Sequence, residues 1–224
     1  GEVGLKMHWS TVVGDDRSCL PRAFQQASQR ADAVIVNGGL GPTVDDLSQE
    51  VAAEAAGVGL ILDENWLSRM LDFYERRGRT MPPNNKKQAM LPEGAEFIDN
   101  PIGTACGFAI NIGSARFFFT PGVPREMRKM IDEQVIPRLL EMSGLKVVNR
   151  LKRFHSFGIG ESRADQLLSD VEALAVDDSL KLGFQAHYPQ LETKLSAQAA
   201  TNEDLDVKLA PAIEMIRARL GTFI

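Results

Sequence analysis

AVIVNGGLGPTVDD, residues 33–46, is the stretch from which the architecture of the first part of the chain follows. Ala33-Val34-Ile35-Val36 is a short continuous apolar run, the pattern of a strand buried on both faces. It runs straight into Asn37-Gly38-Gly39-Leu40-Gly41-Pro42-Thr43, and a helical pattern follows from about Val44 to Ala56. Leu47, Val51 and Ala55 share one face of that helix, and Gly57 is its stop. Glycines at 38, 39 and 41 permit positive φ and let the backbone approach a ligand with no Cβ in the way. The N–H groups of the turn and of the helix start then converge on one spot, where the helix dipole also favours negative charge. Open α/β sheets bind ligands at the carboxyl ends of their strands, which is where this turn falls. The segment is neither a GxGxxG fingerprint nor a Walker loop, because no Lys-Ser/Thr follows. A tight turn that needs glycine and binds nothing would show the same glycines.

Asp45 and Asp46 are expected in the first turn of that helix. As dipole-complementing acids they would contribute only about 0.3–1 kcal/mol each. As metal ligands, one of them would hold a divalent cation against bound phosphates, since hard cations take oxygen donors. A carboxylate aimed at an anion is repelled unless a metal lies between. Asp15 and Asp16, in the turn Gly14-Asp15-Asp16, could supply a second ligand, although Gly-Asp-Asp is also ordinary turn chemistry.

Outward from this segment, strands and helices alternate, which predicts an α/β domain with a mostly parallel sheet covered on both faces. Residues 7–13 read as a strand, and Leu20, Phe24 and Ala27 recur at helical spacing with Pro21 suited to a first turn. A helix is expected over Glu64–Arg77, capped by Asp63 and ended by Gly78. Phe108–Ile112 and Ala115–Thr120 form two strands around Gly113-Ser114, and Pro121-Gly122-Val123-Pro124 opens a helix burying Met127, Met130 and Ile131. Near Gly144 the order changes to β-α-β-β-α: strands 147–157, 181–187 and 190–199, helices 161–172 and 203–220. Leu191, Thr193, Leu195 and Ala197 alternate with more polar neighbours, as in a sheet with one covered face. Two domains follow, residues 1–145 and a small α+β domain over 146–224.

Composition narrows the function. The net charge is −5, from 25 Lys+Arg and 30 Asp+Glu, which is the wrong sign for a protein that coats nucleic acid. Cys19 and Cys106 form no CxxC pair, so neither a disulfide framework nor a zinc site is expected, in keeping with a reducing cytoplasm. No apolar run approaches the ~20 residues that span a bilayer, and no signal peptide is visible, so a cytoplasmic protein without a membrane partner is expected. Glu2-Val3-Gly4-Leu5 reads like the tail of a helix, where an α/β domain would open on a strand; a first strand is expected upstream.

The strings TVVGDD (11–16), NGGLGPTVDDLS (37–48), RRGRTMPPNNKKQAMLPEGAEFIDNPIGTACGF (76–108) and TPGVPREM (120–127) resemble the molybdopterin-binding-type domain of the CinA family. The fold implied is the one shared with MoaB and MogA. Residues 150–224 resemble the small KH-type domain that follows in CinA proteins, ending in RLGTFI. The resemblance implies that Gly38, Gly39, Leu40, Gly41, Pro42 and Thr43 hold a pyrophosphate and that Asp46 handles magnesium, manganese or cobalt. Asp16 or Asp15 matches the acidic position of the earlier turn. It further implies metal-dependent hydrolysis of ADP-ribose to AMP and ribose 5-phosphate, with a divalent metal ion and no organic cofactor. The family's opening strand and its Gly-Thr/Asp-Glu-type motif are absent from these residues, and Cys106 stands where relatives commonly have proline. Nothing matches the nicotinamide-nucleotide amidohydrolase domain into which many CinA proteins continue.

Further polar candidates lie in Pro83-Asn84-Asn85-Lys86-Lys87-Gln88. Asn85 and Gln88 are candidates for ribose or phosphate contacts, and Lys86 or Lys87 for offsetting charge on a leaving phosphate; a solvated loop is the plainer reading. Thr104, Pro121 and Gly122 fall at strand ends or helix starts expected to face the same crevice. Gly158-Ile159-Gly160-Glu161 stands where a KH domain places its clamp, but the spacing is wrong. Residues 150–224 also hold 9 Lys+Arg against 11 Asp+Glu, so no nucleic-acid partner is expected, and homodimerisation or closure over the neighbouring active site are the roles left to the small domain. The leading expectation is a metal-dependent nucleotide-pyrophosphate hydrolase. A pterin- or nucleotide-binding adenylylating module and a non-catalytic oligomerisation scaffold are the alternatives.

Overall fold

The computed structural model describes residues 5–144, 148–175, 177 and 179–224, which fall into two compact units. The larger comprises Trp9–Met142, and the smaller Ser143–Ile224 with residues 5–8. The expected boundary at 145/146 lies outside the described residues, as do residue 147 of the expected strand and Glu2, Val3 and Gly4.

In the larger unit the chain forms helix α1 (Leu20–Ser28), strand β1 (Ala33–Asn37), helix α2 (Ser48–Ala56), strand β2 (Leu60–Leu62) and helix α3 (Glu64–Glu75). Strands β3 (Met90–Pro92), β4 (Glu96–Ile98), β5 (Gly107–Ile112) and β6 (Ala115–Thr120) follow. Helices α4 (Pro124–Met130) and α5 (Ile136–Ser143) close it. The main sheet has the order β1-β6-β5-β4, and β2 pairs with β3 separately.

Alternation within the strands builds three layers. Phe108, Ile110, Phe117 and Phe119 face the cluster that includes Leu20, Phe24, Val51, Trp66 and Met70 of the first three helices. Ala109 and Phe118 point the other way, onto Met130 and Val135. Those last two are five residues apart because a π-helical turn, Ile131–Val135, separates α4 from α5. Met130 is therefore buried as expected, whereas Met127 and Ile131 are only half-buried. Asp63 caps α3 as expected, accepting a hydrogen bond from Trp66 N at 2.8 Å.

Three expectations need correction. The sheet is mixed: β1 runs parallel to β6, but the β4–β5 and β5–β6 pairs are antiparallel. The two-residue connection Gly113-Ser114 leaves β5 and β6 no other course, since parallel neighbours need a long crossover. Residues 7–13 form no strand, and Met7, Trp9 and Val12 are exposed. A strand exists through its partners, and none of the described strands pairs with residues 7–13. Helix α2 starts at Ser48, four residues later than expected, because residues 41–45 are spent on the turn.

The smaller unit follows its sequence pattern closely. Strand β7 (Val148–Phe157), helix α6 (Glu161–Leu168), strands β8 (Leu180–His187) and β9 (Gln190–Ala199) and helix α7 (Asn202–Leu220) appear in the expected order. The sheet is antiparallel, β7-β9-β8. Leu191, Thr193, Leu195, Ala197 and Ala199 are buried along β9, and α7 contributes Leu205, Leu209, Ala212, Ile216 and Leu220 to the same core. Two hydroxyls, Ser156 Oγ and Thr193 Oγ1, are buried there without a hydrogen-bond partner among the described residues. An unsatisfied buried hydroxyl costs about 1–3 kcal/mol, so Thr193→Val, which keeps the shape, is expected to raise the melting temperature of this unit. A lowered melting temperature would show that the hydroxyl is satisfied after all. No helix among the described residues is long and apolar enough to cross a membrane.

Candidate functional site

At the carboxyl end of β1 the chain turns through Gly38 and Gly39, with φ of 105° and 69°. The turn is pinned on both sides: Gly38 N–H donates to the Thr120 carbonyl at 2.9 Å, and Ser48 Oγ donates to the Gly38 carbonyl at 2.9 Å. Ser48 N–H donates to the Gly39 carbonyl at 3.1 Å. A side chain at position 39 would strike Ser48 Oγ. This bracing consumes the first N–H of α2, so the Ser48 N–H is spent on the turn itself. The N–H groups of Gly39, Leu40 and Gly41 are left without a partner among the described residues. Successive free backbone N–H groups are the kind of donor from which anion-binding concavities are built.

Asp46 folds back over this loop. Its Oδ2 accepts from Thr43 N at 2.9 Å and from Thr43 Oγ1 at 2.5 Å, and a Cβ at Gly41 would collide with it. Both Asp45 and Asp46 thus precede the helix, in the turn itself. The cleft above the loop has a volume of about 330 Å³. Gly38–Pro42 and Asp46 line one side, with Gln88, Thr104, Ala105, Pro121, Gly122, Val123 and Glu126 completing it. Glu126 is the residue that sequence reasoning passed over. Its signal was position: an acid two residues into a helix that opens directly from the end of β6. Asn100, 1% exposed, holds it, donating from Nδ2 to Glu126 Oε2 and to the Ala105 carbonyl, both at 2.8 Å. Asn100 Oδ1 accepts from the N–H groups of Ile102 and Gly103. One buried amide therefore ties the 100–105 loop to the carboxylate.

Of the other expected residues, Gln88, Thr104, Pro121 and Gly122 line the cleft. Gln88 Nε2 donates to the Leu40 carbonyl at 3.4 Å, bracing the loop from beneath. Asn85 is buried away from the cleft, bonded to Tyr74 Oη at 2.6 Å and to Gln88 Oε1 at 3.2 Å. Lys86 is exposed and outside the cleft lining. The lysine that reaches the loop is Lys87, which donates to the Thr43 carbonyl at 3.1 Å and pairs with Glu50 at 3.4 Å. Asp15 and Asp16 do not line the cleft. Asp16 instead accepts from Ser18 N at 2.7 Å ahead of α1, and its hydrogen bonds from Ser18 hold its carboxyl below the usual carboxylate range. Burial pushes the Cys106 thiol far above its ordinary value, so it packs and does not react as a thiolate. No group of three or more His, Cys, Asp or Glu side chains suited to a metal occurs among the described residues.

Residues 1–141 match the family described as "Probable molybdopterin binding domain", and residues 151–224 match "Damage-inducible protein CinA KH domain". A CinA-like protein of Escherichia coli (strain SE11) is 42% identical over 91% of this chain and 50% of its own length. The NMN amidohydrolase-like protein YfaY of Escherichia coli (strain K12) has the same identity and coverage. The chain thus spans about half the length of the curated relatives it matches. Among solved structures, the protein CinA of unknown function from Thermoplasma acidophilum is 32% identical, with a TM-score of 0.48, over 58% of this chain and 73% of that one.

Proposed function

The chain belongs to the CinA family, and from that premise we propose that the glycine-turn cleft is the active site of a metal-dependent hydrolase that splits nucleotide diphosphates, with ADP-ribose giving AMP and ribose 5-phosphate. The observation that supports this most directly is the pairing of three unpartnered backbone N–H groups, at Gly39, Leu40 and Gly41, with two carboxylates, Asp46 and Glu126, in one cleft. The N–H groups bind the diphosphate, and Gln88 and Ser48 hold the loop in the conformation that aims them.

Carboxylates beside a phosphate site make electrostatic sense with a cation between them. Oδ1 of Asp46 and Oε1 of Glu126 have no partner among the described residues. A magnesium-type ion is commonly bound by one or two carboxylates, with substrate phosphates and water completing its shell, so this donor set fits one. When bound, such an ion polarises a phosphorus and lowers the pKa of a coordinated water. Thr43 and Asn100 each fix the unused oxygen of one carboxylate, which orients the other.

The test is AMP release from ADP-ribose in Mg²⁺, Mn²⁺ or Co²⁺ against an EDTA control. Metal-dependent release is expected. Nucleotide binding by calorimetry without any turnover would replace this reading with a binding module, and adenylylation of molybdopterin with ATP would select the adenylylating alternative.

A further inference from the structure

A second cleft, of about 600 Å³, adjoins the first and shares Val123 and Glu126 with it. Its walls are α3, the 100–103 loop and the start of α4. Arg69, Arg76, Arg77 and Arg125 line it, against two carboxylates, Asp72 and Glu126. In a chain of net charge −5 this is a local reversal of sign. Two of the arginines have structural partners. Arg69 pairs with Asp99 at 2.7 Å and lies over Trp66, and Arg77 lies 3.5 Å over the Phe73 ring and donates to the Phe73 carbonyl. The side chains of Arg76 and Arg125 make no hydrogen bond or ion pair among the described residues. Arg125 moreover stands in the first turn of α4, where the helix dipole disfavours a cation. Helix stability therefore does not account for it.

We propose that this cleft is a second phosphate subsite, which takes a monoester phosphate carried by the same molecule whose diphosphate lies on the glycine turn. The proposal rests on the nucleotide-diphosphate reading of the first cleft. Guanidinium groups match phosphate through paired N–H donors, and the two unpartnered ones have that capacity free. The shared wall at Val123 and Glu126 lets one ligand extend from cleft to cleft. Nucleotide diphosphates with an additional phosphate on the nucleoside ribose would then be preferred to ADP-ribose.

ADP-ribose and its 2′-phosphorylated counterpart would be titrated calorimetrically into the chain and into an Arg76→Gln/Arg125→Gln variant. Both side chains are exposed, so the variant should fold, which an unchanged melting temperature would verify. The 2′-phosphate is expected to tighten binding about tenfold or more in the wild type, a difference of about 1.4 kcal/mol. That gain should vanish in the variant while ADP-ribose affinity holds. Equal affinities in the wild type, or a preference that survives in the variant, would overturn the subsite and leave the first cleft's reading standing. If ADP-ribose itself does not bind, the first reading falls instead. Inorganic phosphate then tests the arginines alone: binding lost in the variant keeps the anion site, and equal binding in both ends it.

Discussion

Asp46→Asn is expected to lower ADP-ribose turnover about a thousandfold, the scale of losing a preorganised electrostatic group at a reacting phosphate, with the melting temperature unchanged. The side chain is engaged only by Thr43, on a turn outside any helix or strand, so the fold does not lean on it. Asn keeps the shape and can still accept from Thr43, which isolates the charge as the quantity removed. Thr43→Val leaves the carboxylate but takes away its hydroxyl partner. A loss of about 10–100-fold, typical of a group that orients a ligand, is expected there. Glu126→Gln should resemble Asp46→Asn if both carboxylates serve one cation. The measurement is initial-rate AMP release across metal concentrations, alongside circular dichroism melts. Full turnover in Asp46→Asn would remove the cleft's assigned chemistry, whatever the other variants did.

Phe119→Ala is expected to destabilise the larger unit by about 3–5 kcal/mol, the range for deleting a buried aromatic ring. Phe119 is fully buried in β6, stacked on Phe108 at 4.4 Å and met edge-on by Phe24 at 5.6 Å, so its removal leaves a void between sheet and helix. The same residue precedes Thr120, whose carbonyl anchors Gly38, so nucleotide affinity should weaken along with stability. Denaturation followed by the fluorescence of Trp66, which lies in the same core, would report the loss. A cost below about 1 kcal/mol, the size of a lost methylene, would mean that the core refills and that the aromatic stack does not organise this end of the sheet.

The small unit was legible in order and nearly in extent, apart from the helix expected to 172 that ends at Leu168, because β9 alternates against a single covered face and period two survives in its sequence. The larger unit was legible where apolar runs and glycine turns are local: β1, the turn at 38–41, the Asp63 cap and the pair of strands around Gly113-Ser114. Residues 7–13 misled because a strand's sequence pattern says nothing about whether a partner edge is available. The start of α2 misled because Val44, Asp45 and Asp46 fit a helical first turn as readily as the looser turn they adopt.

At the site, the glycine turn and Asp46 were readable, since backbone conformation and an adjacent carboxylate are properties of consecutive residues. Asp16 against Glu126, and Lys86 against Lys87, were not. Glu126 is eighty positions from Asp46 along the chain, and they share a cleft because β1 and β6 lie side by side and end together. Which of two neighbouring lysines turns inward depends on the phase of the 3₁₀ helix Pro83–Ala89. By itself the sequence determined the local units of this protein, because strand, turn and cap propensities act within a few residues. Only the tertiary structure decided which side chains share a cleft, because that depends on strand order and on packing between segments far apart in the chain.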